Sequence, residues 1–361
     1  MNTKIIKVDE LTLKPEDLQE AAKILREGGL VAFPTETVYG LGANALDTEA
    51  AGKIYEAKGR PSDNPLIVHI SEVSDMEVLA REIPEKAYQL ANVFWPGPLT
   101  IILKKKPCVP CGTTGGLDTV AIRLPANPIA RSLIADSGVY VAAPSANLSG
   151  KPSPTKAEHV IKDMSGKIDM IIDGGMATLG LESTIIDLSG DKPVILRPGC
   201  ITKNMLENVI GSVEIDPAIL SKNPDPQAAP KAPGMKYRHY APEGKLTIYE
   251  GDTALVIDAI NQKAKDKQDS GKCVGVIATD ETKALYHYGI VKTIGSRKDE
   301  ASIAAGLYAI LREFDELHTE YIYTESFADN SLGHAIMNRL LKAAGYRVVK
   351  VPDPRISNST E

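Results

Sequence analysis

The sequence predicts an α/β protein in two parts, and three observations carry that expectation. Short runs rich in β-branched residues, bounded by Gly or Pro, recur from LVAF at 30–33 to VILR at 194–197. Helical patterns separate only some of these runs. Between Asp216 and Gly244 six prolines break all periodicity, and a second α/β pattern starts at Leu246. The chain's 361 residues also exceed the roughly 250–300 at which single cores stop growing. The expected plan is a domain over 1–210 with a twisted, mixed parallel and antiparallel sheet. A stiff, largely extended linker over 211–244 and a smaller Rossmann-like domain over 245–361 follow.

KIIKV opens as a strand. Pro15 to Gly28 reads as one helix, with acids in its first turn, Arg26 in its last, and Gly28-Gly29 as the stop. LVAFPT is a strand. Gly40-Leu41-Gly42-Ala43-Asn44-Ala45 matches a loose G-x-G-x-x-A dinucleotide pattern. It reads instead as a Gly-rich turn, because TETVY before it looks too polar for strand-end packing. TEAAGKIYEAKG is a helix capped by Asp47, with Ile54 and Ala57 inward. LIVHI, LTIILKK, TVAIRLP, VYVAAPS, DMIIDGG, STIIDLS and PVILRPG are strands. Two pairs, LTIILKK with TVAIRLP and STIIDLS with PVILRPG, have no helix between them and should run antiparallel. In the second domain LTIYEG, KCVGVIATD, YIYTESF and RVVKVP are strands. DEASIAAGLYAILREFDEL is the best helix, with Ile303, Leu307, Ile310, Leu311 and Phe314 on one stripe.

Composition narrows the function classes. A formal charge of −6, from 41 basic and 47 acidic residues, argues against a broad basic face for nucleic acid. Stable RNA binding is therefore not expected. No apolar run approaches the roughly 20 residues that span a bilayer, and the N-terminus carries no apolar signal segment, so a cytoplasmic place and no membrane partner are expected. Cys108 and Cys111 form C-V-P-C in a Pro/Gly loop, with no second pair to complete a zinc site. They read as an incidental loop pair, with a redox or metal role as the alternative.

The chemistry gathers at strand ends. In AKGRPSDNPL, Lys58 and Arg60 stand two residues apart, followed by a loop stiffened by Pro61 and Pro65. In an extended chain they would project to one side, as would Ser145 and Asn147 in P-S-A-N. Two cations with a hydroxyl and an amide can cradle a triphosphate without a Gly-rich loop. A solvated cationic turn is the plain alternative for the first stretch. For S-A-N it is an ordinary strand-end turn, and for the RPG that follows VIL, a β-turn with Pro at its second position. Arg123, inside the apolar strand AIRLP, needs a partner, and a bound carboxylate is a plausible one. His69, ending LIVHI, reads on its own as a satisfied core residue.

KGRPSDNPL and PSAN, with PTETVYGLG, TVAIRLP, LESTIID and RPG, resemble the YrdC-type threonylcarbamoyl-adenylate synthase family. The linker motif APGMKYRHYAP and the second domain resemble its longer, two-domain branch. The resemblance implies that L-threonine, bicarbonate and ATP become L-threonylcarbamoyl-AMP and pyrophosphate. That reaction is the first step toward threonylcarbamoyladenosine in tRNA, and the product would be handed to the transfer machinery. It implies that Lys58, Arg60, Ser145 and Asn147 contact phosphates and nucleotide, with Lys58 and Arg60 catalytic. Asn64, Thr119, Ser153, Arg197 and Tyr237 would complete the ATP site. Thr37, His69, Arg123, Ala143 and Ser183 would hold threonine. Mg²⁺ is expected as the companion of ATP, with no dedicated protein cage and no tightly bound organic cofactor. MKYRHYAP would fold over the nucleotide as a lid, since the 24 residues from Gly211 to Gly234 reach at most about 80 Å. The related carbamoyltransferases of hydrogenase maturation carry an acylphosphatase-like segment and CxxC repeats that this chain lacks. A non-catalytic module binding double-stranded RNA by shape is the other alternative.

Overall fold

The structure is a computed structural model that describes residues 2–220, 230–233, 240–327 and 331–353. The chain divides into two compact units, Met1–Ser149 with Ser153–Tyr237, and Arg238–Glu361 with Gly150–Pro152.

The described residues of the first unit form eleven strands. They are β1 (Lys4–Lys7), β2 (Val31–Phe33), β3 (Gly40–Asn44), β4 (Ile67–His69), β5 (Leu99–Lys104) and β6 (Thr119–Arg123). β7 (Val141–Ala142), β8 (Met170–Asp173), β9 (Thr184–Asp187), β10 (Val194–Arg197) and β11 (Glu214–Ile215) complete them. Their order in the sheet is β1-β8-β2-β3-β7-β4-β6-β5-β9-β10-β11. The expected mixed sheet is present. β4 and β6 run parallel, while β5 pairs antiparallel with β6, and β9 with β10. Both pairs thus run antiparallel as expected, although the β5–β6 connection is not free of helix, since Cys111–Thr114 forms a single helical turn.

Four sequence readings are corrected. GLGAN is not a turn but the buried strand β3, hydrogen-bonded between β2 and β7. Its glycines serve packing, since a Cβ at Gly42 would lie 2.7 Å from Val141 Cγ1 and 2.8 Å from Phe33 Cε1. Replacing Gly42 with Ala should therefore cost about 1–3 kcal/mol, read as a lowered melting temperature. The TETVY stretch is not too polar to pack either: Thr35, Glu36, Thr37, Val38 and Tyr39 are all buried. Finally, the start of the expected linker is folded, because β11 extends the sheet and Pro217–Leu220 forms a short helix. The segment from Pro15 also splits, into a 3₁₀ turn over Pro15–Leu18 and a helix over Gln19–Arg26.

Burial locates the working face. One side of the sheet packs a large core around Leu41, Ile54, Val68, Leu90, Ile101, Ile122 and Ile186. On the other side, Phe33, Val31, Ala143, Met170 and Ile172 are covered by residues of the helices Gln19–Arg26 and Pro128–Ser137. That cover stops near β7. Beyond it, β4, β6, β5, β9 and β10 carry only a small apolar cluster of Ile67, Ile102, Ala121, Ile185 and Leu196, joined by Ala232. Side chains alternate along a strand, so His69 shares this face with Ile67, and Thr119 and Arg123 share it with Ala121.

The second unit has five parallel strands in the order β14-β13-β15-β12-β16. These are β12 (Lys245–Glu250), β13 (Val274–Ala278), β14 (Ile290–Thr293), β15 (Tyr321–Glu325) and β16 (Val348–Lys350). This is the expected Rossmann-like plan with one added strand, the half-exposed edge β14. The helix Glu300–Glu316 buries Ile303, Leu307, Ile310, Leu311 and Phe314, as its stripe predicts.

Candidate active site

The helix Thr48–Lys58 positions the first cation. Asp47 caps it by accepting from Glu49 N at 2.8 Å and Ala50 N at 3.2 Å, and Gly59 ends it in the left-handed region at φ 61°. Lys58 is thus a helical residue, and the expectation that Lys58 and Arg60 share one side of an extended chain is wrong. The sharp turn at Gly59 separates them. The Lys58 ammonium, only 3 % exposed, donates to the carbonyls of Ser145 and Asn147. Lys58 O in turn accepts from Ser149 N at 2.9 Å, so helix end and PSAN loop are tied at several points. Ser145 and Asn147 do face each other: Ser145 Oγ donates to Asn147 Oδ1 at 2.6 Å.

Arg60 packs on its own loop, donating from Nε to Asn64 O at 3.3 Å and from Nη2 to Pro65 O at 3.0 Å. Tyr55 Oη braces the same loop by donating to Asn64 O and to Gly112 O. The CVPCGTTGG stretch therefore supports the cationic loop from behind. Gly115, at φ 61°, is required there because a Cβ would lie 2.8 Å from Asp63 O. Cys108 and Cys111 are exposed free thiols. Asn64 is 2 % exposed, and its Oδ1 has no hydrogen-bond partner.

Along the uncovered face, parallel register sets His69 beside Arg123. Arg123 finds its partner inside the protein. Its Nη2 donates to Glu36 Oε1 at 2.6 Å, Nη1 to Thr37 Oγ1 at 3.0 Å, and Nε to Gly97 O at 3.3 Å. Burial alone would push the Glu36 carboxyl up. The Arg123 charge and hydrogen bond, with the backbone N–H groups of Glu36 and Ala126, outweigh it and hold the pKa below its ordinary value. Burial, aided by the Arg123 charge, pushes the His69 imidazole down to about 3 against weaker opposing pulls from Ile67 O and Glu36. His69 is therefore neutral, with Nδ1 3.1 Å from Ile67 O. A neutral ring donating there leaves Nε2 as an acceptor.

Farther along, Arg197 donates to Ser183 O at 3.0 Å and to Ser183 Oγ at 3.1 Å, while Ser183 Oγ lies 2.7 Å from Thr100 Oγ1. Arg197 Nη1 also reaches Pro233 O at 3.4 Å, so a described piece of the linker lies against this arginine. Ser153 Oγ donates to the buried carboxylate of Glu182 at 2.6 Å. Ala143 borders the face from the β7 side, its N donating to Ile67 O. Thr119 opens β6, four residues before Arg123. Tyr237 and the motif expected to act as a lid, apart from Tyr240, Ala241 and Pro242, lie outside the described residues.

Two carboxylates, Glu36 and Glu182, went unnoticed in the sequence although both sit in quoted motifs. The available signal was Arg123 itself: an arginine in a buried strand calls for an internal counter-ion as readily as for a ligand. The arrangement as a whole puts buried cations, hydroxyls and a neutral imidazole around one open part of a sheet. It can orient an anionic nucleotide beside a small zwitterion, and it offers no Ser-His-Asp or Cys-His relay among the described hydrogen bonds.

Comparison with known proteins bears on this geometry. A family model for Sua5, YciO and YrdC proteins, described as telomere recombination, matches residues 23–199. One described as the C-terminal domain of threonylcarbamoyl-AMP synthase matches residues 201–345. The threonylcarbamoyl-AMP synthase of Bacillus subtilis is 52 % identical over 343 residues, covering 95 % of this chain and 97 % of that protein. The synthase of Pyrococcus abyssi is also 52 % identical, over 92 % of this chain and 95 % of its own length. The crystal structure of P. abyssi Sua5 complexed with L-threonine superposes with a TM-score of 0.91 at 50 % identity, covering 97 % of this chain and all of that one.

Proposed function

The chain belongs to the family of two-domain threonylcarbamoyl-AMP synthases, and from that premise we propose how its residues do the work. The reaction joins L-threonine, bicarbonate and ATP into L-threonylcarbamoyl-AMP and pyrophosphate, the first step of threonylcarbamoyladenosine formation in tRNA. The threonine amine nitrogen forms a bond to the bicarbonate carbon, a C–O bond of the bicarbonate breaks, and its oxygen leaves as water with the displaced protons, giving a carbamate. A carbamate oxygen then attacks the α-phosphorus of ATP, and pyrophosphate leaves with the electron pair of the broken P–O bond.

The observation that carries the residue roles is the Lys58 clamp on the PSAN loop. A buried ammonium fixed before substrate arrives needs no reorganisation when charge moves onto pyrophosphate. Arg60, Ser145 and Asn147 extend that cradle, and Asn64, Thr119, Ser153, Arg197 and Tyr237 are assigned to the rest of the nucleotide. Arg123 takes the threonine carboxylate, with Thr37, His69, Ala143 and Ser183 shaping its surroundings. Most of the rate then comes from orientation of two reactants. Mg²⁺ is assigned to the nucleotide. A hard ion that keeps its waters and takes phosphate oxygens needs only one or two protein oxygens, and the orphaned Asn64 Oδ1 is a donor of that kind. Bound there, the ion would draw charge off the phosphates.

The adenylate is prone to hydrolysis, which favours direct hand-over to the enzyme that transfers the group to tRNA. No described helix is long and apolar enough to cross a membrane. Pyrophosphate release should require both L-threonine and bicarbonate, with L-serine and L-allothreonine giving little. Release with ATP alone, or with any amino acid equally, would overturn the assignment of these residues to threonine.

A further inference from the structure

Glu36 and Arg123 form a buried ion pair in which neither partner is saturated. Arg123 uses three of its five N–H groups on Glu36 Oε1, Thr37 Oγ1 and Gly97 O. Glu36 Oε2 is buried, with the side chain only 10 % exposed, and makes no hydrogen bond of normal geometry, the backbone N–H groups of Glu36 and Ala126 acting on the carboxyl only more loosely. A buried acceptor without a well-aligned donor is unfavourable, so this oxygen is suited to a further donor. Half-satisfied plus and minus charges side by side match a zwitterion, whose carboxylate and α-nitrogen share one carbon.

We propose that Glu36 is a substrate-binding residue, its Oε2 accepting a hydrogen bond from the α-nitrogen of L-threonine while its Oε1 holds Arg123 for the threonine carboxylate. The inference rests on the reading of Arg123 given above. A carboxylate held by Arg123 carries its α-nitrogen on the adjoining carbon, one bond nearer than the β-hydroxyl. That nitrogen keeps at least one N–H as ammonium, as amine, as carbamate and as acyl-adenylate, so one acceptor serves every stage. Glu36 does not act as the base here. Arg123 holds it ionised, so it is a weak proton acceptor and a strong hydrogen-bond acceptor. It also selects against acids that carry no hydrogen-bond donor at that carbon.

The test crosses a change in the protein with a change in the ligand. Binding to the full-length protein is measured by calorimetry for L-threonine, for 3-hydroxybutanoate, which lacks the amine, and for L-2-aminobutyrate, which lacks the hydroxyl. Wild type should prefer threonine over 3-hydroxybutanoate, and Glu36→Gln should shrink that preference roughly 10- to 100-fold, the range expected for a hydrogen bond to a charged group. The preference over L-2-aminobutyrate should stay within about 2-fold, less than an ordinary hydrogen bond contributes. If Glu36→Gln weakens all three ligands equally, Glu36 merely steadies Arg123 and the proposal is overturned. A loss confined to the hydroxyl comparison overturns it too. Should Glu36→Gln not fold, Glu36→Asp gives the same reading: a preference for the amine reduced at least 10-fold supports the contact, and an unchanged one overturns it. Failure of the underlying assignment is distinct, because wild type would then bind no L-threonine at all.

Discussion

Lys58→Ala should lower kcat/KM for pyrophosphate release by about 10²–10³, the effect of removing one preorganised donor from a site of developing charge. The argument starts from burial. Lys58 is 3 % exposed, and its ammonium donates to the carbonyls of Ser145 and Asn147. A buried ammonium fixed by two carbonyls is preorganised to meet negative charge that develops beside it. The substitution also leaves those carbonyls short of a donor, so a stability loss of about 1–3 kcal/mol should accompany it. The two effects separate in one experiment, since ligand-free melting reads the carbonyls and single-turnover kinetics reads the phosphates. Unchanged kinetics with a lowered melting temperature would make Lys58 a clamp for the PSAN loop and nothing more. Lys58→Arg should rescue poorly, because a planar fork cannot place one compact charge between two carbonyls at the end of a helix.

Local patterns announced much of this fold. Helix Thr48–Lys58 was legible to the residue, because Asp47 and Gly59 are chemical punctuation that acts within one turn. The stripe of the helix Glu300–Glu316 and the antiparallel pairs β5/β6 and β9/β10 were legible for the same reason. What stayed hidden depends on distant partners. GLGAN looks like a loop until Val141 and Phe33 occupy the space its glycines leave. Glu36 looks like a surface acid until β6 brings up Arg123, 87 residues away in sequence. Lys58 and Arg60 stand two apart in sequence but not on one extended face, because Lys58 closes the helix and Gly59 turns the chain at φ 61°.

Arg123→Ala should destabilise the protein by about 3–5 kcal/mol, since it strands Glu36 as a buried charge. The loss should depend on pH in a direction fixed by the pair. In wild type the folded-state pKa of Glu36 lies below its ordinary value, so its contribution is fully present above about 4.3 and fades as pH falls through the folded pKa. Without Arg123, burial acts largely unopposed and raises that pKa above the unfolded value. The variant then pays for an ionised or newly protonated carboxyl at neutral pH, and recovers stability as pH falls toward the unfolded pKa. The gap in melting temperature between wild type and variant should therefore be widest at pH 7.5 and narrow by pH 5. His69 does not blur that window: burial is the largest force on it, and losing Arg123 removes only the second, so the ring stays well below its usual pKa. Adding Glu36→Gln to Arg123→Ala should restore much of the melting temperature and abolish the pH dependence of the gap. A gap that is constant from pH 7.5 to pH 5 would mean that Glu36 finds another counter-charge, and the pair would lose its claim to be the preformed complement of a zwitterion.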